Sequence, residues 1–242
     1  MIKSNFIDYF DKVYIINLPH RADRREEIEV QLKRVGLALN HPKVTLFNAI
    51  KPDEVGEFPS IGAKGCFLSH LGVLKDAQLK QFEQILIFED DLDLSKNFIE
   101  HSVKVLHSLI KNDWDIFYGD YRPDEPIVSD NNPTKSISRE FGLATTSFLG
   151  IKNSIISPLV DFFEQILTRP SGHPLGGQMH VDGAYNFFRE NYSACTTIIS
   201  TPKLGFQRSS RSDIADLTWK HRLPFNKIII KFYRKIKRLS SN

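Results

Sequence analysis

The chain of 242 residues carries 41 % hydrophobic and 25 % charged side chains, ordinary for a globular protein that buries a substantial core. Its two cysteines, Cys66 and Cys195, exclude a disulfide framework, and no Cys-x-x-Cys spacing exists for zinc or redox chemistry. The formal charge of +3 hides an asymmetry: residues 219–242 hold eight basic side chains and no acid, leaving residues 1–218 at a formal −5. The opening MIKSNFIDYFDK lacks the apolar stretch of a signal peptide and no run reaches transmembrane length, so a cytoplasmic protein is expected.

Residues 12–18, KVYIINL, read as a first buried strand. A helix over 23–36 follows, with Asp23 and Glu26 at capping-box spacing, Ile28, Leu32 and Val35 on one face, and Gly36 as its stop. Val44–Ala49 reads as a short strand, Pro52 and Pro59 bracket a loop, and a helix is expected from Gly65 to Gln81 with Phe67, Leu71 and Leu74 inward. A strand over 85–88 precedes a helix in which Ile99, Val103, Leu106 and Ile110 recur at helical spacing. Asp115–Tyr118 is strand-like, and 120–140 is a polar, proline-bearing excursion. Thr145–Ile151 is again strand-like, and 157–167 is helical with Ser157-Pro158 as cap and first-turn proline. A glycine-rich loop, Arg169–Gln178, leads to a helix around 183–190 and a last strand, Cys195–Ser200. Alternating strands and helices predict an α/β fold with a mostly parallel central sheet, in one domain over 1–218 followed by a tail over 219–242.

The most informative segment is Ile85-Leu-Ile-Phe-Glu89-Asp90-Asp91-Leu-Asp93, an apolar strand running into four acids within five residues. Such a cluster repels itself, and a hard divalent cation such as Mn²⁺ or Mg²⁺ resolves the conflict. Its place at the end of a strand is where open α/β sheets bind ligands.

Three blocks together resemble glycosyltransferase family 25, which includes bacterial lipooligosaccharide galactosyltransferases and collagen galactosyltransferases. They are Ile16-Asn-Leu-Pro-His-Arg-Ala-Asp-Arg-Arg25, Gly65-Cys-Phe-Leu-Ser-His70 and Ile87-Phe-Glu-Asp-Asp91, with a weaker fourth match at Pro202–Gln207 followed by Ser212-Asp-Ile214. The resemblance runs from about residue 12 to 214. It implies a GT-A type, Rossmann-like nucleotide-sugar-binding fold, a UDP-sugar donor with galactose as the expected sugar, a divalent metal, and inversion at the anomeric carbon.

On the family's acidic motif, Glu89 and Asp91 are the expected metal ligands, and Asp90 faces the ribose or donor sugar; an Asp90/Asp93 pairing is the alternative. Arg21, Arg24 and Arg25 are candidates for the nucleotide or diphosphate, since guanidinium forks suit phosphate oxygens; a solvated first helical turn is the plainer reading of Arg24 and Arg25. Asn17 is a candidate contact to the base, and Lys64 and His70 to phosphate or sugar, with a buried structural role the alternative for His70. Asp23 reads as a helix cap. Inverting transfer needs a base for the acceptor hydroxyl, and Asp182 fits that position, against the alternative of a helix cap. Gly183 departs from the bulky aromatic expected next to it, which bears on acceptor choice, and His180 is a candidate partner of Asp182 or of the metal.

The tail places Ile228, Phe232, Ile236 and Leu239 along one stripe beside Lys and Arg, a pattern suited to an anionic membrane surface or to packing on the domain. No nucleic-acid partner is expected, because a basic segment alone is not a recognition motif. With a cytoplasmic chain, peripheral at the inner membrane face, a lipid-linked glycan acceptor of lipopolysaccharide or lipooligosaccharide synthesis follows. Asp91-Leu-Asp-Leu-Ser95 and Asp120–Asp124 also mimic haloacid dehalogenase phosphatase motifs, but the interval between them is too short for that fold. The remaining rival is a catalytically silent glycosyltransferase-like binding protein.

Overall fold

The computed structural model describes residues 6–127 and 131–208. The tail and the Ser212–Ile214 part of the fourth block lie outside the described residues.

Seven strands make the central sheet: β1 (Lys12–Asn17), β2 (Val44–Asn48), β3 (Gln84–Glu89), β5 (Ile116–Tyr118), β7 (Thr134–Ile137), β9 (Phe148–Lys152) and β10 (Thr197–Ser200), in the order β2-β1-β3-β9-β5-β10-β7. Five of them run one way, while β9 and β7 run against their neighbours. This is the mostly parallel α/β arrangement expected, with β9 inserted in the middle. Two further pairs are small: β4 (Leu92–Leu94) with β11 (Gly205–Gln207), and β6 (Arg122–Pro123) with β8 (Leu143–Ala144).

Helices cover both faces, which is why the strands read as unbroken apolar runs rather than alternating ones. On one side α2 (Ile61–Leu79), α4 (Asn153–Thr168) and α5 (Val181–Asn191) bury Phe67, Leu74, Phe163 and Tyr185 with the strand residues Tyr14, Ile87 and Leu149. On the other, α1 (Ala22–Arg34) and α3 (Phe98–Lys111) pack with Val13, Ile15, Phe88 and Phe117. Phe148 centres an aromatic cluster there, its ring within 6.5 Å of Phe6, Phe88, Phe98 and Phe117. A Cβ at Gly119 would stand 2.5 Å from that ring, so glycine is what lets β5 end against it. Among the described residues no helix is long and apolar enough to cross a membrane.

The structure corrects four local expectations. Helix α1 starts at Ala22 with Arg21 in the N-cap position and no side-chain cap; Asp23 instead takes the Arg21 guanidinium, 2.7 Å away. That contact and its neighbours hold the exposed Asp23 carboxyl down at about 2. Helix α2 begins earlier than expected, capped by Ser60 Oγ, which accepts from the Ala63 amide at 3.0 Å. Helix α4 begins at Asn153, so Ser157 is an interior residue whose hydroxyl accepts from Gln78 and Pro158 lies inside the helix. In α3 the inward face is Phe98, Ser102, Val105, Leu106 and Leu109, while Ile99, Val103 and Ile110 are exposed. Two apolar stripes one residue apart compete on that helix, and only the sheet behind it decides between them.

Candidate functional site

The carboxyl ends of β1, β3, β5 and β10 open on one edge of the sheet, where Asn17, Glu89, Asp90 and Asp91 gather. Strand β3 delivers Glu89 at its last position, then turns through Asp90 and Asp91 into β4. The turn is held by its backbone, with the Asp90 amide donating to Ile16 O at 3.2 Å and the Glu89 amide to Ser147 O at 3.0 Å.

The four acids divide by partner. Asp90 is buried and accepts from Asn17 Nδ2 at 2.7 Å and from the Arg24 guanidinium at 2.7 Å. Arg24 is therefore a buried counter-ion inside the cluster, not a solvated first-turn residue. Burial still raises the Asp90 carboxyl against those partners. Asp93 is taken by Arg208, whose guanidinium reaches its oxygens at 2.6–3.2 Å and also bonds Glu27. Glu89 and Asp91 are left without an arginine hydrogen bond among the described residues. Glu89 accepts from Thr146 Oγ1 at 2.6 Å and faces His70 Nε2 at 3.5 Å. Burial opposes its charge, but His70, Thr146 and Arg24 outweigh it and lower its pKa.

Asp91 is the exception in the cluster. Its Oδ2 accepts from Gln207 Nε2 at 3.3 Å and lies 3.7 Å from Arg24, while its Oδ1 is buried with no partner. Burial, then the Glu89 and Asp90 charges against the opposing pull of Arg24, push this carboxyl up to about 7. An orphaned carboxylate oxygen beside a second carboxylate is a donor set that fits a hard divalent cation.

Asp182 lies in the first turn of α5, half-buried, its Oδ1 accepting from the Gly183 amide at 2.8 Å. The N-cap position belongs to His180, which is exposed and makes no capping bond, so Asp182 is not the cap. After burial, the charges of Glu89, Asp182, Asp91 and Asp90 all act to drive the Cys66 thiol well above its usual range. Gly183 leaves room for Met179, whose sulfur would be 3.1 Å from a Cβ there.

Other candidates serve their own scaffold. Asn17 spans from β1 to Asp90 and to Arg21 O. Lys64 Nζ donates to Glu54 O at 2.8 Å, which steadies the 52–59 loop. Arg25 donates to Pro19 O. His70 is fully buried, its Nδ1 3.3 Å from Tyr185 OH.

Sequence reasoning missed a second buried carboxylate, tied to the first through Gln207. Asp120, buried just past β5, accepts from Ser147 Oγ at 2.8 Å and the Gln207 amide at 2.9 Å, with Lys203 3.7 Å away. Thr145–Ser147, expected to be strand, is a bend instead, because its hydroxyls serve Asp120 and Glu89 from one segment. Thr145 sits at φ +72°, a left-handed conformation costly for a β-branched residue and typical of functional segments held by their surroundings. The one sequence signal was the weak block at Pro202–Gln207, whose Gln207 bonds both Asp91 and Asp120.

A profile of glycosyltransferase family 25 (LPS biosynthesis protein) matches residues 54–129, the stretch carrying the second and third blocks. The chain is 34 % identical over 147 residues to procollagen galactosyltransferase 1-B of Xenopus laevis, covering 51 % of this chain and 24 % of that protein. It is 32 % identical over 127 residues to procollagen galactosyltransferase 2 of Mus musculus, covering 45 % and 20 %. A probable inactive glycosyltransferase 25 family member 3 of Rattus norvegicus is 27 % identical over 145 residues, covering 51 % and 25 %. The chain thus spans about a fifth to a quarter of the length of these curated relatives. With an acidic turn at the end of β3 inside the matched stretch, residues 54–129 resemble glycosyltransferase family 25, and the likeness to its curated relatives covers about half of the chain.

Proposed function

We propose that the protein is a metal-dependent inverting glycosyltransferase that moves a hexose, galactose by preference, from a UDP-sugar to a glycan acceptor. The observation that carries this reading is the buried Asp91 Oδ1, without a hydrogen-bond partner among the described residues, in the same acidic turn as Glu89. The similarity to procollagen galactosyltransferases supports the sugar class. Asp91 and Glu89 would hold Mn²⁺ or Mg²⁺, which when bound neutralises the diphosphate leaving group. Arg24 and Asn17 fix the acidic turn through Asp90, so the ligand oxygens are in place before donor arrives. The Asp182 carboxylate, whose Oδ1 accepts from the Gly183 amide, removes the acceptor hydroxyl proton as that oxygen attacks the anomeric carbon. Proton transfer here and charge neutralisation at the diphosphate are the two halves of an inverting displacement.

The test is release of UDP from a panel of UDP- and GDP-sugars by the full chain, with Mn²⁺ and with EDTA. Turnover of one UDP-sugar that EDTA stops is the expected result. Folded protein that binds UDP with Mn²⁺ yet transfers to no acceptor would favour a silent binding protein, the condition named for the rat relative.

The acceptor reading rests on residues 219–242 and on the profile's description as an LPS biosynthesis protein. A basic, apolar-striped segment brings a cytoplasmic enzyme to an anionic inner membrane face, where a lipid-linked glycan is presented. Removing 219–242 is expected to abolish binding to anionic liposomes while leaving activity on a soluble acceptor. Liposome binding that survives the deletion overturns the membrane role.

A further inference from the structure

Beside the oxygen-rich turn lies a second donor set of different chemistry. Cys66 and His70 stand four residues apart on one face of α2, and with Glu89 their Sγ, ring nitrogen and carboxylate oxygen all lie within 4.8 Å of one another. Three observations make this more than a chance grouping. His70 is fully buried, and its Nε2 has no hydrogen-bond partner; Glu89 at 3.5 Å lacks hydrogen-bond geometry. The other ring nitrogen meets Tyr185 OH, the kind of outer partner that fixes the tautomer of a metal-binding histidine and frees Nε2 as a ligand. Cys66 is partly exposed, which gives an ion a way in.

We propose that Cys66, His70 and Glu89 form a binding site for a thiophilic divalent ion such as Zn²⁺, separate in ligand chemistry from the oxygen site at Asp91. Thiolate, imidazole and carboxylate are the zinc donors, and three protein ligands leave a fourth position open to water. Ligand atoms around tetrahedral Zn²⁺ stand about 3.5 Å apart. The His70–Glu89 pair is already at 3.5 Å, so closure requires the Cys66 sulfur to move in by up to about 1.3 Å from its present spacing. On binding, the Cys66 thiol gives its proton to solvent and the S–metal bond replaces the S–H bond. The surrounding carboxylates, which disfavour a bare thiolate, favour the cation. If the transferase reading holds, Zn²⁺ inhibits turnover by occupying Glu89, and Cys66→Ser relieves that inhibition.

The site is tested without turnover, by adding Co²⁺ to the metal-free full chain and following its absorption. One equivalent is expected to produce thiolate-to-cobalt charge transfer, which Zn²⁺ bleaches and excess Mg²⁺ does not. The band is lost in Cys66→Ser, kept in Cys195→Ser, and needs about tenfold to hundredfold more Co²⁺ in Tyr185→Phe. Absence of the band in wild type, or its persistence in Cys66→Ser, overturns the proposal. Wild-type alkylation mapped by mass spectrometry gives a check free of folding effects. Zn²⁺ is expected to protect Cys66, and equal modification with and without Zn²⁺ overturns the site.

Discussion

Replacing Asp91 by asparagine is expected to abolish Mn²⁺-dependent UDP release and, in the same variant, to raise the melting temperature of the metal-free protein. Both effects come from one carboxylate. Its Oδ1 is buried without a partner, and burial with the Glu89 and Asp90 charges sets its pKa at about 7. An unfolded aspartate titrates near about 4. The folded state therefore binds this proton more tightly than the unfolded one, and the contribution of Asp91 to stability falls as pH rises from about 4 to about 7. Above that window the folded chain carries the full cost of the buried charge.

Asparagine is nearly isosteric, keeps an acceptor for Gln207, and leaves Arg24 with Asp90. The gain is on the order of 1–3 kcal/mol at pH 8, since three pKa units set an upper limit of about 4 kcal/mol. It should shrink toward zero near pH 4. Thermal melts of both proteins from pH 4 to 8 in EDTA measure this. A variant less stable than wild type at pH 8 would mean that Asp91 is a structural acid and that no cation is missing. Stability given up at a working residue is common in enzymes.

Asp182→Asn is expected to lower kcat for transfer by about 10²–10⁴-fold while leaving Mn²⁺-dependent UDP affinity within about twofold. The carboxylate is half-buried at the start of α5, and among the described residues its hydrogen bond is from the Gly183 amide, which asparagine's carbonyl can still accept. The fold is therefore retained and only the base is lost. Single-turnover transfer to a soluble acceptor, beside UDP binding by calorimetry, separates the two quantities. Equal losses in binding and turnover would make Asp182 a donor-site residue instead, and an unchanged kcat would move the base elsewhere, with the buried Asp120 the next carboxylate to try.

How much of this was legible in the chain depends on how local the physics is. The buried strands were readable because helices cover both faces of the sheet and leave runs such as Ile85–Phe88 and Tyr14–Ile16 unbroken. Helix starts were less readable. Ser157-Pro158 has the chemistry of a helix start, yet α4 begins four residues earlier because the end of β9 already aims the chain along that axis. Thr145–Ser147 has strand composition but bends, since three hydroxyls gain more from Asp120 and Glu89 than from a ladder.

By itself the sequence determined an α/β fold, an acidic turn at the end of a buried strand, and the family that its blocks resemble. Those depend on apolar runs and on residues adjacent in the chain. Only the tertiary structure decided how the four acids are partnered. Arg24 lies 66 residues from Asp90 and Arg208 115 from Asp93, and these pairings, invisible to spacing, leave Glu89 and Asp91 without an arginine hydrogen bond among the described residues. The same is true of Cys66 and His70 meeting Glu89, for groups separated in sequence acquire their partners only when the fold brings them together.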